Sequence, residues 1–184
     1  MKQLIFKMGI RAVFFCTPRT QADKQTQKGL RDYLALADQI RPDMGSRSVT
    51  VPPMPGVDEN MRHWSFYQIL SHNTRVNRSI TATVEQLVNG EILHGAAIID
   101  PKRDVMPPKA VGEEQRVAFQ TSIMNHLHTV SRLGNLRGTH RSPHPLLGAF
   151  DAHQWNCMFA FHLKVHFPQA AYVARNVPGQ KGHP

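Results

Sequence analysis

The chain has 184 residues, 41% of them hydrophobic, and carries a formal net charge of +9. That length suits one domain rather than two independent cores, and that apolar content excludes wholesale disorder. The two cysteines, Cys16 and Cys157, cannot build a disulfide framework, and no stretch approaches the length of a membrane-spanning helix, so a cytoplasmic, reducing setting is the expectation.

Residues 1–20 place Lys2, Lys7 and Arg11 around short apolar pieces. A signal peptide needs an uninterrupted apolar run; Arg11 breaks it and Pro18-Arg19 follows. The segment is expected to be a loose, disordered N-terminal arm, with translation from Met8 as an alternative. A first helix is predicted from Gln21 to Ile40, with Leu30, Tyr33, Leu34, Ala37 and Ile40 on one face, stopped by Arg41-Pro42. A link with Pro52, Pro53 and Pro55 follows.

The second predicted helix has a sharp start. Ser65 and Gln68 have the spacing of a capping box, in which serine accepts an orphan backbone N–H and glutamine reaches back. Trp64 and Ile69 have the spacing of a hydrophobic staple. The apolar stripe reads Ile69, Val76, Ile80, Val84, Leu87, and His72 fills its one gap, so His72 is expected to face the core. Asn89-Gly90 ends the helix. The long connection from Gly90 to Gly112 can cross a bundle, and its short apolar run Ala96–Ile99 is the best strand candidate.

A third helix is predicted over Glu113–Leu133, with Phe119, Ile123, Leu127 and Val130 inward and Gly134 as its C-terminal cap. The fourth starts at Asp151, whose side chain pairs with Gln154 in a second capping box, with Phe150 and Trp155 as staple. Its stripe reads Trp155, Phe159, His162, His166, Ala170, Val173, and Pro168 is expected to bend it near His166. Four amphipathic helices with little strand imply an all-α four-helix bundle over 21–176, with a long connection between its second and third helices and a C-terminal tail over 177–184.

His162 and His166, four apart on a helix, place their Cβ atoms about 6 Å apart on one face. Imidazoles so placed can converge on one ion at about 2.0–2.1 Å per bond. An isolated pair is weak evidence, and no glutamate follows the first histidine as a metalloprotease motif requires. The combination is stronger. Three histidines replace apolar residues in the inward stripes of two capped helices, and each brings polar atoms that need partners. A shared metal supplies them, since imidazole suits Zn, Ni, Cu and Fe. His126, His144 and Trp155 are candidates for lining a pocket, while His140 and His153 flank the same loop as His144. Nothing marks Cys157 as a nucleophile. The basic residues are dispersed without a run of five, which reads as a solvated surface rather than a nucleic-acid site and suits an anionic small substrate.

Two segments resemble the DinB-like (DinB/YfiT) superfamily of metal-dependent proteins. The first is Trp64-Ser65-Phe66-Tyr67-Gln68-Ile69-Leu70-Ser71-His72, similar to W-S-x-x-[EQ]-x-L-x-H. The second runs from His144-Pro145-Leu146-Leu147-Gly148 through Gln154-Trp155 to His162-Leu163-Lys164-Val165-His166 and Gln169, similar to H-P-x-x-G, Q-W, H-x-x-x-H and a trailing Gln. The resemblance spans Trp64 to about Arg175. It implies a DinB-like four-helix bundle, a homodimer, and one divalent metal, zinc or nickel, on His72, His162 and His166. It further implies an enzyme of hydrolase or low-molecular-weight-thiol S-transferase type, acting on an anionic or electrophilic small molecule. A non-catalytic metal-binding or sensing bundle is the alternative, and a basic nucleic-acid-associated protein a more remote one. No Asp or Glu lies on either stripe beside the ligands, which leaves His126 and His144 as candidates for a general base.

Overall fold

The computed structural model of the chain describes residues 2–90 and 104–179. Five helices dominate: α1 (Lys2–Cys16), α2 (Arg19–Asp38), α3 (Phe66–Val88), α4 (Glu114–Arg132) and α5 (Ala152–Asn176). A two-stranded antiparallel hairpin, β1 (Ser142–His144) and β2 (Gly148–Phe150), precedes α5 with Ser142 opposite Phe150 and His144 opposite Gly148. The expected strand at 96–99 falls outside the described residues.

Helix α3 lies at the centre, packed against both α4 and α5, while α2 packs mainly on α5 and α1 lies along α5. The expected stripe of α3 is buried throughout, from Ile69 through His72, Val76, Ile80 and Val84 to Leu87. A second, polar face is buried as well: Asn73, Asn77 and Thr81 point into the core. Asn77 Nδ2 donates to Ser122 Oγ at 2.9 Å, and Asn73 Nδ2 reaches the Tyr33 hydroxyl at 3.3 Å, which in turn donates to the Leu163 carbonyl at 3.1 Å. A helix with two neighbours buries two faces, and polar residues there must find partners in the core.

Both predicted capping boxes form. Ser65 Oγ accepts from the Gln68 N–H at 3.2 Å while Gln68 Oε1 accepts from the Ser65 N–H at 2.9 Å. Asp151 and Gln154 do the same at 2.8 and 3.3 Å. On the staple side, the Phe150 and Trp155 rings meet edge to face with centroids 5.7 Å apart. Helix α5 runs without interruption through Pro168, whose ring is on the exposed side.

Besides the hairpin and the polar face of α3, the structure departs from the sequence reading at α1, in α2 and at Gly134. The segment expected to be a loose arm forms helix α1. It is fastened by its main chain: Arg137 donates to the carbonyls of Phe15 (2.9 Å) and Thr17 (3.2 Å), capping the unpaired helix end. Arg11 Nη1 donates to Leu147 and Ala149 of the hairpin region at 3.1 Å each, and Phe14 is buried against Phe150 and Phe161. In α2, Leu36 rather than Leu34 takes the buried position, so the inward stripe is Ala22, Thr26, Tyr33, Leu36 and Ala37. Finally, Gly134 does not adopt the left-handed cap conformation. The Arg19 guanidinium covers the end of α4 instead, donating to the carbonyls of Val130, Leu133 and Gly134.

Candidate metal centre

Helices α3 and α5 bring His72, His162 and His166 together, with one ring nitrogen of each within 4.8 Å of the others. The ring centroids of His72 and His166 are 4.8 Å apart, and those of His162 and His166 4.6 Å. His72 and His166 are almost fully buried, and His162 is half-buried. These three form the candidate metal-ligating group found among the described residues.

The hydrogen bonds fix the tautomers of two rings. His72 Nδ1 lies 2.9 Å from the Val105 carbonyl, which can only accept, so the proton sits on Nδ1. Its Nε2 then carries a lone pair, is buried, and has no partner. Gln169 Nε2 donates to the Met61 carbonyl at 2.7 Å, so the amide oxygen of Gln169 is the end facing His166 Nδ1, at 3.1 Å. The lone pair of His166 is therefore also on Nε2. The Nδ1 of His162 is buried without a partner. Burial lowers the pKa of His72 from 6.5 to about 3 and holds those of His162 and His166 below the usual value, with neighbouring imidazoles adding to the effect at His72 and His162. All three rings are thus neutral near pH 7, the state in which imidazole ligates metal.

The partners Val105 and Gln169 are what metal-ligating histidines ordinarily have: an oxygen acceptor on the ring nitrogen turned away from the ion. Gln169 belongs to the trailing end of the sequence resemblance, but its role in holding His166 is visible only in space. Val105, in the connection before α4, carries no sequence signal because it acts through its carbonyl. Trp64 packs its ring 5.0 Å from that of His72 and walls the site on that side. Asp58, exposed at the start of a short 3-10 turn (Glu59–Met61), is an acidic group whose field reaches His166. Sequence reasoning missed it because it lies in the link and not on a helical stripe.

The pocket candidates separate. His126 is fully buried between α3, α4 and α5, away from the three histidines' ligand set: Nε2 donates to Asn156 Oδ1 at 2.9 Å, Thr81 Oγ1 lies 3.0 Å from Nδ1, and the ring stacks on Phe159 at 3.7 Å. With both nitrogens engaged it is a core histidine, not a pocket-mouth residue or a free base. His144 and Trp155 are together, their ring centroids 5.3 Å apart, and the field of His144 reaches His162. His140 is exposed, whereas His153 Nε2 donates to the Thr17 carbonyl at 2.9 Å and serves the end of α1. Cys157 is buried, and burial pushes its thiol up to about 12; the His153 nitrogen that faces it, Nε2, carries the proton donated to Thr17 and cannot accept another, so no base activates it.

The proline-rich link is folded onto this region. Val51 N–H donates to the Arg62 carbonyl at 2.9 Å, and Gly56, at φ +78°, packs on Val165 between the two α5 histidines. Gly56→Ala puts a β-carbon into Val165 Cγ1 at a left-handed backbone position. It is expected to lower unfolding stability by about 1–3 kcal/mol in urea denaturation.

No protein-family model, curated protein or solved structure matches the chain. No helix among the described residues is long and apolar enough to cross a membrane.

Proposed function

We propose that this chain is a DinB-like four-helix bundle protein that binds one divalent metal, zinc or nickel, on His72, His162 and His166, and acts as a metal-dependent enzyme on a small molecule. One observation carries the reading. Three neutral imidazoles from two helices converge, two of them almost fully buried and oriented by oxygen partners that leave their Nε2 lone pairs free. Without a shared ligand, the bare Nε2 of His72 and Nδ1 of His162 are a standing cost to folding. The motif resemblance supports the same assignment, because the ligands it implies are these residues.

The donor set is uncharged, so a bound ion retains its full positive charge and open coordination positions, and it supplies Lewis acidity or a lowered pKa to a bound water or thiol. What this chain supplies is orientation and exclusion of water: Val105 and Gln169 lock two rings, and Trp64 covers one side. Cys157 is inert and Cys16 lies at the end of α1. The nucleophile in this reading therefore comes from outside, as water (a hydrolase) or a low-molecular-weight thiol (an S-transferase).

The test is metal analysis of protein made without chelator or affinity tag, followed by assay of esters and of thiol-plus-electrophile pairs, each with loaded and chelated protein. About one zinc or nickel per chain and turnover that vanishes on chelation support the enzyme. Stoichiometric metal with no turnover leaves a metal-binding bundle. No metal and no uptake on titration returns the histidines to core packing. Gln169→Leu gives a finer check: metal affinity measured by chelator competition is expected to fall about 10–100-fold while the helical circular dichroism is kept.

A further inference from the structure

We infer that the site takes a substrate bearing a carboxylate, held beside the metal position by the ring N–H groups of His144 and Trp155. The inference rests on the metal-site reading, because it places the acid group of a substrate of that same site.

The first observation is a tautomer. His144 Nδ1 accepts two backbone hydrogen bonds from its own turn, from Leu146 N–H at 3.1 Å and Leu147 N–H at 3.2 Å. A nitrogen that accepts carries no proton, so the ring proton is on Nε2, at the edge turned away from the hairpin loop. No acceptor for that proton occurs among the described residues. Burial keeps the ring neutral, lowering its pKa to about 4, so His144 is a fixed donor at neutral pH.

The second observation is an orphan. Trp155 is 3% exposed, and its Nε1–H is buried with no partner. Indole is a donor only, and a buried donor left unpaired loses its hydrogen bonds to water without replacement. This donor lies in the first turns of α5, on the stripe that continues through Phe159 to His162 and His166. Its ring sits 5.3 Å from that of His144. Two N–H donors, that of Trp155 buried without a partner and that of His144 without a protein acceptor, thus sit on rings 5.3 Å apart, and the field of His144 reaches His162.

The third observation is charge. Arg11 reaches the same hairpin, donating to the Leu147 and Ala149 carbonyls, with its guanidinium 5.7 Å from the centroid of the Phe150 ring. That ring packs against both His144 and Trp155. A fixed positive charge behind two uncharged donors favours an anion over a neutral carbonyl. A carboxylate, flat and with two acceptor oxygens close together, can engage both donors at once and satisfy the buried indole.

The test uses the two tryptophans. Trp64 and Trp155 give two indole N–H signals in a proton–nitrogen correlation spectrum of the ¹⁵N-labelled full chain, assigned by Trp155→Phe. Sodium acetate is titrated against chloride at constant ionic strength, with zinc-loaded and with zinc-free protein, and zinc content is measured on the same samples. The expected result is a saturable downfield shift of the Trp155 signal with Trp64 little changed. His144→Phe is expected to weaken apparent acetate binding about tenfold, and His144→Gln, whose amide restores a donor, to recover most of it. A Trp155 signal that acetate does not move overturns the inference, as does a His144→Phe titration identical to wild type in a protein whose Trp64 signal is unchanged. Zinc that fails to bind while acetate still shifts Trp155 sinks the metal reading alone. Zinc bound at one per chain with an unresponsive Trp155 sinks the carboxylate subsite alone.

Discussion

His162→Ala is expected to abolish stoichiometric metal uptake. His162 contributes a ring adjacent to both other candidate ligands, with centroids 5.2 Å from His72 and 4.6 Å from His166. Removing it leaves two nitrogens from different helices and opens the site to water from the half-buried side. Loss of an outer partner already costs 10–100-fold in metal affinity, so loss of a ligand is expected to cost more than about a hundredfold. Two readouts check this. Elemental analysis falls from about one ion per chain to a trace. The stabilisation that the wild type gains from zinc at a hundred times its Kd, about 2.7 kcal/mol, disappears from the thermal unfolding curve. His140→Ala, at an exposed position outside the cluster, leaves both measurements at wild-type values. Uptake by His162→Ala equal to that of the wild type refutes the ligand assignment.

Acid is expected to destabilise the protein as pH falls from 6.5 toward 4, and His126 is the cleanest contributor because it stands apart from the metal candidates. Its pKa is lowered from 6.5 to about 4 by burial, which its hydrogen bond to Asn156 only partly offsets. A depressed pKa means that the unfolded chain binds the proton more readily than the folded one. Stability from this group is therefore complete above pH 6.5 and is lost as pH falls toward 4. The loss amounts to about 3 kcal/mol between pH 7 and pH 4. Urea titrations at closely spaced pH values measure it. A His126→Gln variant, which cannot charge, is expected to be less stable at pH 7 but to show a shallower decline by roughly that amount. A decline as steep as that of the wild type refutes the assignment to His126.

What the sequence disclosed, and what it hid, follows from the range over which each interaction acts. The starts of α3 and α5 were legible because Ser65 with Gln68, and Asp151 with Gln154, complete their hydrogen bonds within three residues. The histidine trio was legible because each member interrupts an apolar stripe, a one-dimensional pattern that survives without coordinates. Helix α1 was not. Arg11 and Arg137 hold it through carbonyl oxygens 120 or more residues away in sequence, and a carbonyl is identical at every position. The polar face of α3 was missed because a search for apolar periodicity passes over Asn73, Asn77 and Thr81. For the same reason His126, on the inward side of α4, looked available, when Thr81 and Asn156 already occupy its two nitrogens. Gly134 suggested a cap of the usual kind, and the actual cap comes from Arg19, more than a hundred residues earlier.

The two imidazoles with fixed tautomers are held by partners of different kinds, and this makes the centre vulnerable to different genetic changes. His166 depends on the side-chain amide of Gln169, so a single base change can release it. His72 depends on the main-chain oxygen of Val105, which every substitution preserves, proline included. Only a change in the number of residues moves that oxygen out of register. The segment around Val105 is thus expected to tolerate exchange of its side chains, provided the buried Val105 position stays apolar, and to resist insertion or deletion. In a library that scans identity and length separately across 104–107, metal retention is expected to follow length.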